Sequence, residues 1–186
     1  KNTNINSLMS GALEDQREAL VQKIGENISV RRATIVEGKN VDGYVHSNGK
    51  IAVLVNLTAG DSVLAKDVAM HIAAVNPQVV KPEDMDATLL EKERAIYVAQ
   101  AEDSGKPAEI IEKMVEGRMK KYYQEVVLLE QTSVIDGETR IADVVAKAGK
   151  DAGADIALTG FVRFNLGEGI ERESTDFAAE VAAQLS

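Results

Sequence analysis

Two helical segments joined by a helix-breaking turn constrain this chain more than any other feature. Across residues 86–130, apolar side chains recur at helical spacing on both sides of Ser104-Gly105-Lys106-Pro107. The first arm carries Leu89, Leu90, Ile96, Tyr97 and Ala99, and the second Ile111, Met114, Val115, Met119, Tyr122 and Val126. Charged residues fill the other faces, so each arm has one apolar stripe to bury, and the nearest cover is the other arm. Gly105 can end the first helix, and Pro107 can open the second, where its missing N–H costs no intrahelical bond. The pattern predicts an antiparallel helical hairpin, a short coiled coil standing out from a body. Such an element offers side chains to a partner rather than to a substrate.

The flanking sequence supplies the body. Leu13, Leu20, Val21 and Ile24 recur at helical spacing among Glu14, Asp15, Arg17 and Glu18, with Gly25 as the stop, so a helix resting on a sheet is expected. Residues 4–11 before it read as neither a clean helix start nor a strand. Three runs rich in Val and Ile follow, residues 28–37, 41–46 and 50–57, separated by Gly38-Lys39-Asn40 and Ser47-Asn48-Gly49. They read as strands, and Asn48-Gly49 is the strongest short-range hairpin signal. Asp61 then caps a helix through Leu64, Val68, Ala69, Ile72 and Ala73 that stops at Asn76-Pro77. After the hairpin come an extended piece and turn at 133–137, a helix at 139–147, a strand at 156–165 and a last small helix capped by Thr175. The fold class is α+β: antiparallel sheets packed against helices, with the hairpin protruding. Its expected divisions are a core at 1–85, the hairpin at 86–130, a return to the core at 131–172 and a C-terminal helical module at 173–186.

Composition narrows the function. A chain of 186 residues with 45% hydrophobic and 27% charged residues can fill a core, and with 4% aromatics that core must be aliphatic. A net charge of −9 repels phosphate backbones, and scarce rings give no stacking platform, so direct nucleic-acid binding is not expected. No run approaches the roughly 18 apolar residues of a membrane span. Without cysteine, disulfides and thiol chemistry are excluded, which fits a cytoplasmic setting or an organelle matrix.

No constellation of reacting groups emerges. His46 and His71 lie far apart without His-x-x-x-His spacing, and no thiols stand by to complete a metal site. His71, between Met70 and Ile72, reads as a core-edge or surface imidazole. His46 sits beside a tight turn, where loops present side chains to partners. Glu83, Asp84 and Asp86 lack a calcium-loop pattern and read as a helix start favoured by the dipole. Gly160, Gly167 and Gly169 form no nucleotide-binding loop, and no serine sits in a nucleophile elbow. The chain is expected to be no enzyme and to carry no cofactor.

Several blocks resemble one family. Ile24-Gly25-Glu26-Asn27-Ile28-Ser29-Val30-Arg31-Arg32, Met70-His71-Ile72-Ala73-Ala74, Lys81-Pro82-Glu83-Asp84, Ser104-Gly105-Lys106-Pro107, residues 112–121 and Gly167-Glu168-Gly169-Ile170-Glu171 occur in the order found in bacterial-type elongation factor Ts. The resemblance runs from about Glu14 to the end. It implies a guanine-nucleotide exchange factor that binds elongation factor Tu and speeds GDP release. By position it also implies partner contacts at Ile24, Gly25, His46 and Val134, and at Asp176 and Phe177 in the C-terminal module. Gly25 has a structural role as well, as a helix stop with positive φ, and Ile24 could serve the core. Family members of this kind open with a small helical module and a Thr-Asp-Phe-Val-Ala-Lys-Asp loop that are not among these residues. A truncated product with altered exchange activity is therefore expected. The alternative is a scaffold in which the helical arms pair with a second copy to give a homodimer.

Overall fold

Strict alternation along one strand decides which face of the body is inside. In the computed structural model, which describes residues 3–170, Val53, Val55 and Leu57 are almost fully buried, while Ala52 and Leu54 are exposed and Asn56 is half-buried. In chain order the elements are α1 (Ile5–Leu8), α2 (Ala12–Ile24), β1 (Asn40–Val45), β2 (Ile51–Leu57), α3 (Ser62–Val75), α4 (Ala87–Glu102), α5 (Ala108–Val126), α6 (Ile141–Ala152) and β3 (Leu158–Asn165). Short 3-10 turns occupy Pro82–Asp84 and Leu128–Glu130.

The strands form one antiparallel sheet in the order β1-β2-β3. Tyr44 pairs with Val53 and Val55 with Phe161, so both outer strands turn alternate residues to the same inner face as β2. The tight connection forms where Asn-Gly predicted it. His46 N–H donates to the Ile51 carbonyl at 2.9 Å, and Gly49 takes a φ of 68°. Helix α3 lies on the inner face. Asp61 accepts from Leu64 N–H at 2.9 Å to start it, and Asn76 in the left-handed region ends it. Leu64, Val68 and Ile72 meet the strand residues, and Leu128, Ile141, Val145, Ile156 and Leu158 close the same core from the chain's second half.

The hairpin has its own small core. Ala101, Val115 and Met119 are buried, with Leu90, Tyr97, Val98, Ile111, Met114 and Tyr122 packed around them, so the arms run antiparallel. Asp86 caps α4 by accepting from Thr88 and Leu89 N–H at 2.7 and 3.2 Å. The Arg118 guanidinium lies 5.7 Å from the centre of the Tyr97 ring and donates to Gln100 across the pair. At the root, Gln78 N–H donates to the Val126 carbonyl at 2.8 Å, and Leu128 N–H to the Val79 carbonyl at 2.9 Å. The arms thus leave the body through a strapped base rather than a free linker.

Four expectations need correction. Residues 4–11, which showed no clean element, contain the one-turn helix α1, capped by Asn4 accepting from Ser7 N–H at 3.1 Å. Helix α2 forms as expected but does not rest on the sheet, because α3 already occupies the inner face. It buries no residue, and Leu13, Leu20 and Ile24 are about half exposed. Residues 28–37 are not a strand. A strand needs a neighbouring edge for its backbone groups to bond, and among the described residues this segment joins no ladder; side chains hold it instead. Arg32 donates to the Glu168 carboxylate at 2.7 Å with its guanidinium 4.7 Å from the centre of the Phe164 ring, and Asn56 donates to the Glu37 carbonyl at 3.2 Å. Gly38 follows because a β-carbon there would collide with the Asn56 side chain. The fourth correction is His71, which is fully buried rather than at the core edge. The small helix expected after Thr175 lies outside the described residues.

Candidate protein-docking surface

The turn between β1 and β2 presents one oriented imidazole. His46 continues the alternate face of Tyr44, and the Tyr44 hydroxyl lies 2.9 Å from His46 Nδ1 with the ring centres 6.0 Å apart. Tyr44 in turn packs against the core. The exposed ring of His46 is therefore braced from below by Tyr44. Tyr44 is a supporting residue that periodicity could have supplied, being two positions away on the same strand.

Ile24 and Gly25 form the end of α2. Ile24 is 48% exposed, which discounts the core role it could have had. Gly25 stands at φ 74° with its N–H bonded to the Val21 carbonyl at 2.9 Å. No atom lies within 4 Å of where its β-carbon would be, so glycine is favoured here by backbone conformation and not by crowding. Three residues on, the Arg17 guanidinium holds the Ile28 carbonyl at 3.0 Å and pairs with Glu14 at 2.6 Å. The turn after α2 is thus fastened to the helix it leaves.

Val134 sits in a built loop. Ser133 N–H donates to the Thr139 carbonyl at 2.8 Å and Gly137 N–H to the Ser133 carbonyl at 2.9 Å. Asp136 accepts from the N–H groups of Glu138 and Thr139 at 3.1 and 3.0 Å. A side-chain hydrogen bond with Thr139 first, and those backbone bonds next, hold the Asp136 carboxyl at about 2, well below the usual range. The loop leaves Val134 and Ile135 roughly half exposed. Ile135 escaped the sequence reading, although two β-branched residues ahead of Asp136-Gly137 are the signal of an apolar pair lifted onto a turn. Below the loop, Val134 N–H donates to His71 Nδ1 at 3.3 Å. Burial pushes the His71 imidazole below its ordinary range against a smaller raising effect from its hydrogen bond to Gln131.

Asp176 and Phe177 lie outside the described residues. The remaining four residues fall on three separate elements: the end of α2, the β1–β2 turn and the loop after the hairpin. Nothing gathers them into a pocket of reacting groups. Among the described residues there is no cluster of three or more His, Asp and Glu side chains suited to a metal ion, and no helix is long and apolar enough to cross a membrane.

A body with a rooted helical hairpin and exposed side chains on separate elements, with no pocket of reacting groups among the described residues, suits the class of proteins that dock on other proteins. Comparison with known sequences gives the family. The family described as Elongation factor TS matches residues 1–168. Elongation factor Ts of Hahella chejuensis is 54% identical over 185 residues, covering all of this chain and 63% of that protein. Elongation factor Ts of Marinobacter nauticus is 57% identical over 181 residues, covering 97% of this chain and 61% of that protein. The chain belongs to the elongation factor Ts family. It spans a little over three fifths of the length of these relatives.

Proposed function

We propose that this chain acts in translation elongation as a guanine-nucleotide exchange factor, binding elongation factor Tu and promoting release of GDP. The observation that carries the reading is that Ile24, His46 and Val134 are each exposed, with His46 and Val134 held by hydrogen bonds, and set on separate elements of a family member. Docking over separated elements suits exchange. A factor that loosens a nucleotide must bind the empty partner more tightly than the loaded one, and reciprocity then makes factor and nucleotide weaken each other. No covalent step is required of the exchange factor, so it is no enzyme in this role. The needed free energy comes from surface burial, to which the half-exposed Ile24, Val134 and Ile135 contribute apolar area and His46 a polar contact. Gly25 sets the direction in which Ile24 leaves its helix. Asp176 and Phe177 extend the same surface in this reading. The protein works where elongation factor Tu works, in the bacterial cytoplasm or an organelle matrix.

The test is release of fluorescent GDP from elongation factor Tu, followed with and without the chain, alongside co-sedimentation of the two proteins. Faster release, slowed again by His46→Ala, is the expected result. Neither acceleration nor a complex at about micromolar concentration, a range in which specific complexes form, overturns the reading.

A further inference from the structure

One buried polar chain ties α3 to the root of the hairpin and the loop after it, a segment about 60 residues further along the chain. His71 in α3 is fully buried, and Gln131, after the hairpin, is 2% exposed. His71 Nδ1 accepts from Val134 N–H at 3.3 Å, so the ring proton sits on Nε2 and is donated to Gln131 Oε1 at 2.9 Å. That fixes the Gln131 amide, whose NH2 donates to the Glu125 carbonyl at 2.7 Å. Glu125 is in the last turn of α5, where helix carbonyls have no intrahelical amide to accept from. All three bonds point the same way, from the Val134 loop through α3 to the root of the hairpin. Aligned bonds of this kind strengthen one another in a poorly solvated interior.

We propose that His71 is a positioning residue which, through Gln131, locks the root of the helical hairpin to the Val134 loop, so that the angle of the arms and the shape of the loop are set together. An apolar side chain would fill a core site on α3 more simply, since its buried neighbours Val68, Ala69 and Ile72 are all apolar. A satisfied polar chain instead selects one arrangement out of several of similar packing energy. Leverage makes the choice matter. Helix α5 has 19 residues and so extends about 28 Å, which turns 10° of play at the root into roughly 5 Å at the tip. The backbone straps at Val79 and Val126 limit sliding of the root, and the Gln131 amide limits its rotation about them. The inference concerns the geometry of this chain alone and stands whether or not the exchange activity does.

The chain has no cysteine, so spin labels can be placed cleanly at Lys106→Cys near the tip and Lys66→Cys on the exposed side of α3. Double electron–electron resonance on the full chain then reads the spread of tip-to-body distances. His71→Leu is expected to broaden that distribution at least twofold and to speed exchange of the Val134 amide at least tenfold. His71→Gln, which keeps an acceptor for Val134 and a donor for Gln131, is expected to restore both. Should His71→Leu fail to fold, Gln131→Met keeps the volume, removes the amide oxygen and the NH2 donor, and is expected to give the same broadening. A wild-type width in whichever of these two variants folds overturns the proposal. So does equal broadening in His71→Gln and the apolar variant, because packing alone would then set the angle.

Discussion

Helices α2 and α3 are nearly the same length and both carry apolar residues at helical spacing, yet α3 buries seven of its 14 residues and α2 none of its 13. The difference lies in what the rest of the chain supplies. Helix α3 is apolar around most of its girth and finds the inner face of a sheet below it and α6 beside it. Helix α2 has a stripe, Leu13, Leu20 and Ile24, for which the described residues supply no close cover. Periodicity reveals that a helix has an apolar face. It does not reveal whether that face belongs to the fold or to a partner.

The comparison breaks most directly by deleting side chains. Ile72→Ala in α3 is expected to cost about 2–5 kcal/mol, the usual range for emptying a packed aliphatic site, as a shift in the urea midpoint. Leu20→Ala in α2 is expected to stay within about 0.5 kcal/mol, as for surface changes. Equal costs would mean that α2 packs on the body after all.

The pH response of α3 sharpens the contrast further. His71 is held neutral, below its ordinary value, mainly by burial. The unfolded chain therefore binds more protons than the folded one below the unfolded value near 6.5. The contribution of His71 is fully present above that value and is lost as the pH falls through the folded one. A single proton gives a slope of at most about 1.4 kcal/mol per pH unit. Urea titrations between pH 7.5 and 5 should show this component in the wild type and lack it in His71→Gln.

Capping gives a smaller effect in the same direction. Asp61 bonds Leu64 N–H at the start of α3, while Gly11 at the start of α2 makes no side-chain cap. Asp61→Ala should lower global stability by about 1 kcal/mol, read from the thermal midpoint. The smallest effect is expected at the other end of α2. Gly25→Ala strains a left-handed residue by about 1 kcal/mol, but because α2 buries no residue, amide exchange should rise near Val21–Gly25 with the global midpoint almost unmoved.

What could be read from the sequence divides along the same line. Strand β2 was legible because it is rich in Val and Ile between turn signals, and the β1–β2 turn because Asn-Gly needs so little context. The hairpin was legible because its two arms cover each other. Residues 28–37 misled because Ile28, Val30, Ile35 and Val36 are strand-forming residues while pairing is a property of the neighbour. His71 misled because Gln131, the partner that justifies burying it, lies 60 residues away. Ile24, His46 and Val134 came from family resemblance. Their exposure and bracing became visible only with the fold, as did Ile135 beside them.

Hydrogen exchange of this chain with and without nucleotide-free elongation factor Tu tests the division between covered and uncovered faces most directly. Protection should rise near Ile24 and Gly25, at Tyr44 to Asn48 and at Val134 and Ile135, while the amides of α3, already buried in the free chain, stay as they were. Unchanged exchange at all three surface elements, with the partner bound elsewhere or not at all, would contradict it.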